Sequence, residues 1–294
     1  GETNFGKVVF EGRVDFRRAH FLRTVSFVGS KFKAPAVYVN AKFLGRALLN
    51  DIIFNDLALF DIAKFSNEAN FISSKFMQGI HCYGATFKGI TIFNKSIFQN
   101  EAYFFRANFL ARVDFKDAKF EEIAILEKAS FGDETEFSRT EFKKNAVFVD
   151  VKFEEKIIFG ATKFSGPADF RNCIFKEYTN FSWSIFQDVA VFDEAIFFNA
   201  SDFIQVNFEK HVGLVKTSFV KKANFGAILV KRGFNLENTK FNSIIPNFTQ
   251  ANFLESPRLD HIKIIPSPKI LSPLSWQRYF WQEKYFSYLY RLFT

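Results

Sequence analysis

The sequence is poor in the residues that most folds and most chemistries require. Two cysteines among 294 residues exclude a disulfide scaffold and a four-cysteine metal site. Fourteen glycines and seven prolines exclude a collagen-like chain, and an apolar share of 48% with 24% charged residues excludes a disordered one. No run of about eighteen uncharged apolar residues offers a spanning helix, and no basic-then-apolar signal segment opens the chain. The expectation is a soluble, cytoplasmic protein. No P-loop or GxGxxG sequence is present, so no phosphate cradle is encoded. His20, His81, His211 and His261 lie far apart, and the carboxylates fall singly or as pairs such as Glu121-Glu122 and Glu154-Glu155. Neither catalysis nor a metal or other cofactor is expected from such a distribution.

What the chain has in excess is phenylalanine, 45 residues against 8 Tyr and 3 Trp. Phe occurs at 5, 10, 16, 21, 27 and 32, and the alternating step of five and six persists, with occasional replacements, to Phe241. Two positions before each large residue sits a small or β-branched one, as in Ala19, Ser30, Ala41, Ala63 and Ala85. A spacing of two puts both side chains on one face of an extended segment, whereas steps of five and six scatter successive Phe around a helix. Short strands bounded by turns, each coil burying its inner side against the next, make a solenoid.

The period is 22, not 11. Every twenty-second residue from Phe21 is Phe through Phe241, whereas the series from Phe16 admits Tyr38, Cys82, Leu126 and Leu214. Four segments per coil follow, hence a four-sided, all-β rod of roughly eleven coils and roughly 50 Å at the usual strand spacing. Cys82 and Cys173 take inward positions roughly 20 Å apart on that spacing, too far to bridge.

Ala69-Asn70-Phe71, Ala107-Asn108-Phe109, Ala168-Asp169-Phe170, Ala223-Asn224-Phe225 and Ala251-Asn252-Phe253 resemble the A-(D/N)-(L/F)-x-x unit of the pentapeptide-repeat proteins. The extra residue in every second unit is similar to a Phe-rich bacterial subgroup with FxxAxF units. The resemblance implies a right-handed four-sided β-helix. Some members mimic duplex DNA and occupy type II topoisomerases, which needs a strongly negative surface; a net charge of +8 argues against that role here. Nucleic-acid binding is disfavoured too, because Lys and Arg are interspersed with Asp and Glu and no basic block appears.

The repeat assigns residues 1–254 to the solenoid. Four of the seven prolines fall in residues 255–273, which predicts an extended strap over the coil end. Ser272 and Pro273 then suit the start of a helix over 274–293, ringed by aromatics that include Trp276 and Trp281. That C-terminal helix either caps the last coil or meets a partner or a membrane surface; the cap is the preferred assignment. The chain is also consistent with a fragment of a longer membrane-associated protein.

Among outward positions, the residue preceding the Phe16 series reads Asp15, Val37, Leu59, His81, Tyr103, Ile125, Val147, Asp169 and Val191. Such a ladder either reflects the preference of stacked strands for β-branched residues or forms an exposed stripe that binds a protein partner or a second copy. Val37, Leu59, Tyr103, Ile125, Val147 and Val191, with Trp276 and Trp281, are the candidate contact residues. The expected role is a non-enzymatic rigid scaffold for protein interaction, the alternative a cytoplasmic module of a membrane-associated protein.

Overall fold

The computed structural model describes residues 2–242 and 245–265. It is an all-β parallel solenoid of about 12 coils. Each coil contributes one two-residue strand to each of four sheets; the first four are Thr3–Asn4, Val9–Phe10, Val14–Asp15 and His20–Phe21. The sheets they begin hold 11, 12, 11 and 12 strands, and we number the faces one to four in that order. Pairing joins residues 22 apart, as in Phe43 opposite Phe65 and Phe65 opposite Phe87.

The two step lengths have different backbone causes. Each five-residue step, from face one to two and from three to four, turns with a hydrogen bond across three residues, such as Ala19 N–H to Phe16 O at 3.0 Å. Its third position has positive φ, recurring every eleven residues through Lys7, Arg18, Gly29, Asn40 and Asp51, as a type II turn requires. The six-residue steps carry the extra residue in an open bend. Gly45 and Gly89 sit in two such bends, where a Cβ would come within 2.1 and 2.3 Å of the preceding coil's backbone.

Four Phe columns fill the bore. Phe21 stacks on Phe43 at 4.8 Å, Phe43 on Phe65 at 4.4 Å and Phe87 on Phe109 at 4.7 Å, while neighbouring columns meet edge to face, as Phe148 does Phe159 at 5.5 Å. Both arrangements suit the ring quadrupole. On faces two and four the inward hydroxyls are satisfied by the coil before: Ser74, Ser96 and Thr162 donate to the carbonyls of Leu49, Phe71 and Phe137 at 2.6–2.7 Å. Cys173 Sγ donates likewise to Phe148 O at 2.9 Å, and burial pushes both thiols well above their ordinary pKa, so both are inert core groups.

Where the large inward residue shrinks, its small partner often grows. Cys82 follows Ile80 on face three, where the coils on either side carry Ala58 and Ala102; Ile228 precedes Val230 and Phe234 precedes Leu236 in the same way, all buried. Ala47 with Leu49 and Ala124 with Leu126 do not follow the rule, and nothing in the structure explains them. For Cys82→Phe alone, overpacking is expected to cost about 1–3 kcal/mol, and Ile80→Ala alone about 2–5 kcal/mol through its cavity. The double variant should recover most of both losses in a denaturation double-mutant cycle; additive losses would show that the two side chains do not share one space.

Tyr38 is the one phenol in the columns, stacked between Phe16 at 5.2 Å and Phe60 at 4.7 Å. Its hydroxyl has no hydrogen-bond partner among the described residues. An unpaired buried hydroxyl costs about 1–3 kcal/mol, so Tyr38→Phe should raise stability by that order. A denaturation midpoint that stays put or falls would show that the hydroxyl is satisfied.

The solenoid extends beyond the boundary at residue 254. One added residue lengthens the interval to 23, giving Val230 opposite Phe253 and Phe241 opposite Ile264. Leu259, Ile262 and Ile264 pack on the core one coil after Leu236, Thr239 and Phe241. The predicted strap therefore begins as a further half coil through residue 265. The rest of it, and the helix with Trp276 and Trp281, lie outside the described residues.

Candidate partner-binding face

Outward positions on faces one and three have a backbone duty. Asp15 accepts a hydrogen bond from Arg17 N–H at 3.0 Å, Asn70 from Ile72 N–H at 3.0 Å, Asp114 from Lys116 N–H at 2.8 Å and Asn180 from Ser182 N–H at 2.8 Å. These Asx caps tie down the turn that follows. On face one the apolar replacements Leu48, Ile92 and Ile158 fall singly between capping residues.

Face three abandons the cap for six coils in succession. Val37, Leu59, His81, Tyr103, Ile125 and Val147 pair in register, one per coil. Asp169 then resumes capping, to Arg171 N–H at 3.1 Å, and Val191 follows in the ladder. Leu59, Tyr103, Ile125, Val147 and Val191 are half-buried. Val37 is not part of any surface: it is only 2% exposed, a short side chain shielded between Asp15 and Leu59, its neighbours at about 4.8 Å.

The face also gathers residues that the strand-by-strand ladder leaves out. Tyr83 and Phe105, in the turns two residues beyond His81 and Tyr103, stack at 5.9 Å with 9° between their planes. Tyr103 lies 6.0 Å from Phe105, and His81 5.6 Å from Tyr103. Arg106 and Lys128 stand over the Phe105 ring at 5.3 and 5.6 Å, close enough for cation–π attraction. Asp61 accepts from Tyr83 N–H at 2.9 Å, so the preceding coil supplies the acceptor that His81 does not. The spacing of 22 between Tyr83 and Phe105 was the signal for this cluster. Four aromatic rings with a cationic rim, flanked by Leu59, Ile125 and Val147, can bury apolar area against a partner and hold a carboxylate at its edge.

Elsewhere on the surface many charges pair between coils. Arg139 meets Asp117 at 2.7 Å, Lys156 meets Glu134 at 3.0 Å and Lys210 meets Asp188 at 2.8 Å; the hydrogen bonds from Arg139 and Lys210 hold the carboxyls of Asp117 and Asp188 below their usual range. Burial, then the hydrogen bond to Asp202, pushes Tyr178 up to about 12. Among the described residues no three His, Cys, Asp or Glu are grouped to hold a metal ion, and no helix is long and apolar enough to cross a membrane.

A search of the curated proteins finds no match to the chain. The family model of pentapeptide repeats (9 copies) matches residues 137–182. The coils of that segment share strands, turns and inward columns with those from residue 3 to residue 241, and the chain is a pentapeptide-repeat protein.

Proposed function

We propose that the protein is a non-enzymatic, rigid cytoplasmic scaffold for protein interaction, and that its partner docks on face three. The observation that carries this is the replacement of six consecutive turn-capping positions by apolar or aromatic residues. Stacked β-branched side chains would account for a ladder, but not for rings gathered in the adjoining turns under a cationic rim. The rod suits the role because its bore is packed with stacked rings and its surface side chains are held at fixed intervals along one axis. In the same reading the coil is right-handed, as nearly all crossovers between parallel strands are.

Leu59→Lys with Ile125→Lys tests the proposal, because both side chains are outward and only half-buried. The pair should abolish self-association in light scattering, or capture of a partner that the parent protein retains, while leaving the melting temperature unchanged. A parent that is monomeric and captures nothing, or a variant that behaves as the parent does, would remove face three from consideration.

A further inference from the structure

The edge where face four turns into face one gathers exposed aliphatic side chains and cations. Over the first five coils its bends lift aliphatic side chains clear of the surface: Leu22 is 69% exposed, Leu44 42%, Ile90 48% and Leu110 48%. Leu22, Leu44 and Leu110 follow the inward Phe column directly and lie on one line, whose intervening positions are Ser66 and Lys88, while Ile90 stands two residues farther on in its bend; together they span roughly 19 Å of axis at the usual strand spacing.

Cations flank that line without partners. Arg23, Lys42, Lys64, Lys88 and Arg112 make no ion pair among the described residues, and Lys42 lies directly opposite Lys64 in the ladder, a like-charge juxtaposition that costs stability. The lone acid in these bends, Glu68, is taken by Arg46 at 2.9 Å. Farther along the same edge the pattern reverts to neutralised pairs, Lys156 with Glu134 and Lys176 with Glu154, and Asp133 and Glu155 join the bends. Positive charge is therefore in excess over the first five coils and offset by acids in the middle ones, although Lys152, Lys221, Lys222 and Lys240 farther along the edge also make no ion pair among the described residues.

We infer that this edge docks on an anionic lipid bilayer, with Leu22, Leu44, Ile90 and Leu110 entering the headgroup boundary and the flanking Lys and Arg meeting lipid phosphates. Charge complementarity selects an anionic partner, and the shape and side chains select lipid. The edge is a convex corner, which a planar surface receives and which cannot enclose a peptide. Its bends carry no aromatic residue through Arg112, whereas binders of single-stranded nucleic acid supply rings on which bases stack. Apolar insertion beside basic groups is the combination that holds proteins at a bilayer surface. The edge excludes face three, so a rod lying on a membrane by this corner keeps its partner-binding face in water.

The test is co-sedimentation of the full chain with vesicles of phosphatidylcholine alone and of phosphatidylcholine with phosphatidylserine. Binding is expected to the mixed vesicles only and to weaken as salt is raised. Lys42→Gln with Lys64→Gln, Lys88→Gln with Arg112→Gln, and Leu44→Ser with Leu110→Ser should each lower partitioning by roughly tenfold or more, with melting temperatures at or above the parent value. Tyr103→Ala, which probes face three, should leave vesicle binding untouched. The inference is overturned if neither vesicle binds the protein, if all three edge variants bind as the parent does, if binding disappears only with Trp276→Ala and Trp281→Ala, or if the edge variants weaken binding to a nucleic-acid strand while vesicles are ignored.

Discussion

Phe109→Ala is expected to lose about 3–5 kcal/mol of stability, the range for removing a buried Phe ring. Phe109 has no exposed surface and stacks between Phe87 at 4.7 Å and Phe131 at 5.0 Å, with Phe104 beside it at 6.2 Å. Its column is Phe in every coil from Phe21 to Phe241, so no neighbour is shaped to fill the gap. Because each coil rests only on the coils before and after it, the damage should be local as well as large. Amide exchange should accelerate in the coils around residues 87–131 before it does near Phe21 or Phe219. A denaturation midpoint unchanged from the parent, or acceleration spread evenly along the rod, would show that the stacked column is not what holds adjacent coils together.

The second large effect belongs to the aromatic cluster. Tyr103→Ala and Phe105→Ala should each weaken partner binding by about 2 kcal/mol or more, roughly 30-fold, as truncating an aromatic anchor at the centre of an interface does. Tyr103 touches both His81 and Phe105 through ring contacts, so its removal also loosens the two rings it supports. The side chains are outward, and stability should fall by far less than for Phe109→Ala. Isothermal titration with the captured partner, beside a melting curve, separates the outcomes. Equal losses in binding and in stability would mean that the rings serve the fold rather than a contact.

Much of this architecture is legible in the residues because its rule is so repetitive. The small-x-large unit gives the strand, and the contrast between the invariant series from Phe21 and the variable one from Phe16 gives four faces instead of two. The legible part ends where Phe ends. Leu259, Ile262 and Ile264 continue the packing of Leu236, Thr239 and Phe241, but beyond a one-residue shift in register they carry no signature, and residues 255–265 read as a strap. The cluster on face three was half visible: Tyr103 and Ile125 lie in the ladder, whereas Tyr83 and Phe105 stand in turns, where their spacing of 22 is the one sign of the alignment that the regular positive-φ corner produces. The meaning of the ladder was hidden for a further reason. Asp15 and Asn70 spend their side chains on the following turn, and only against that background are Val37 to Val147 a departure rather than a preference. The burial of Val37 depends on the side chains above and below it, 22 residues away in each direction.

In the proposed docking mode one face of the rod, and not its opposite, meets the partner. A photo-crosslinking side chain placed at Tyr103, and in a separate variant at Asn180 on face one, tests this most directly in extracts of the source cells. Covalent capture of one discrete species from position 103, absent from position 180 and abolished by Ile125→Lys, is the expected result. Equal capture from both positions, or capture at position 103 that survives Ile125→Lys, would contradict it.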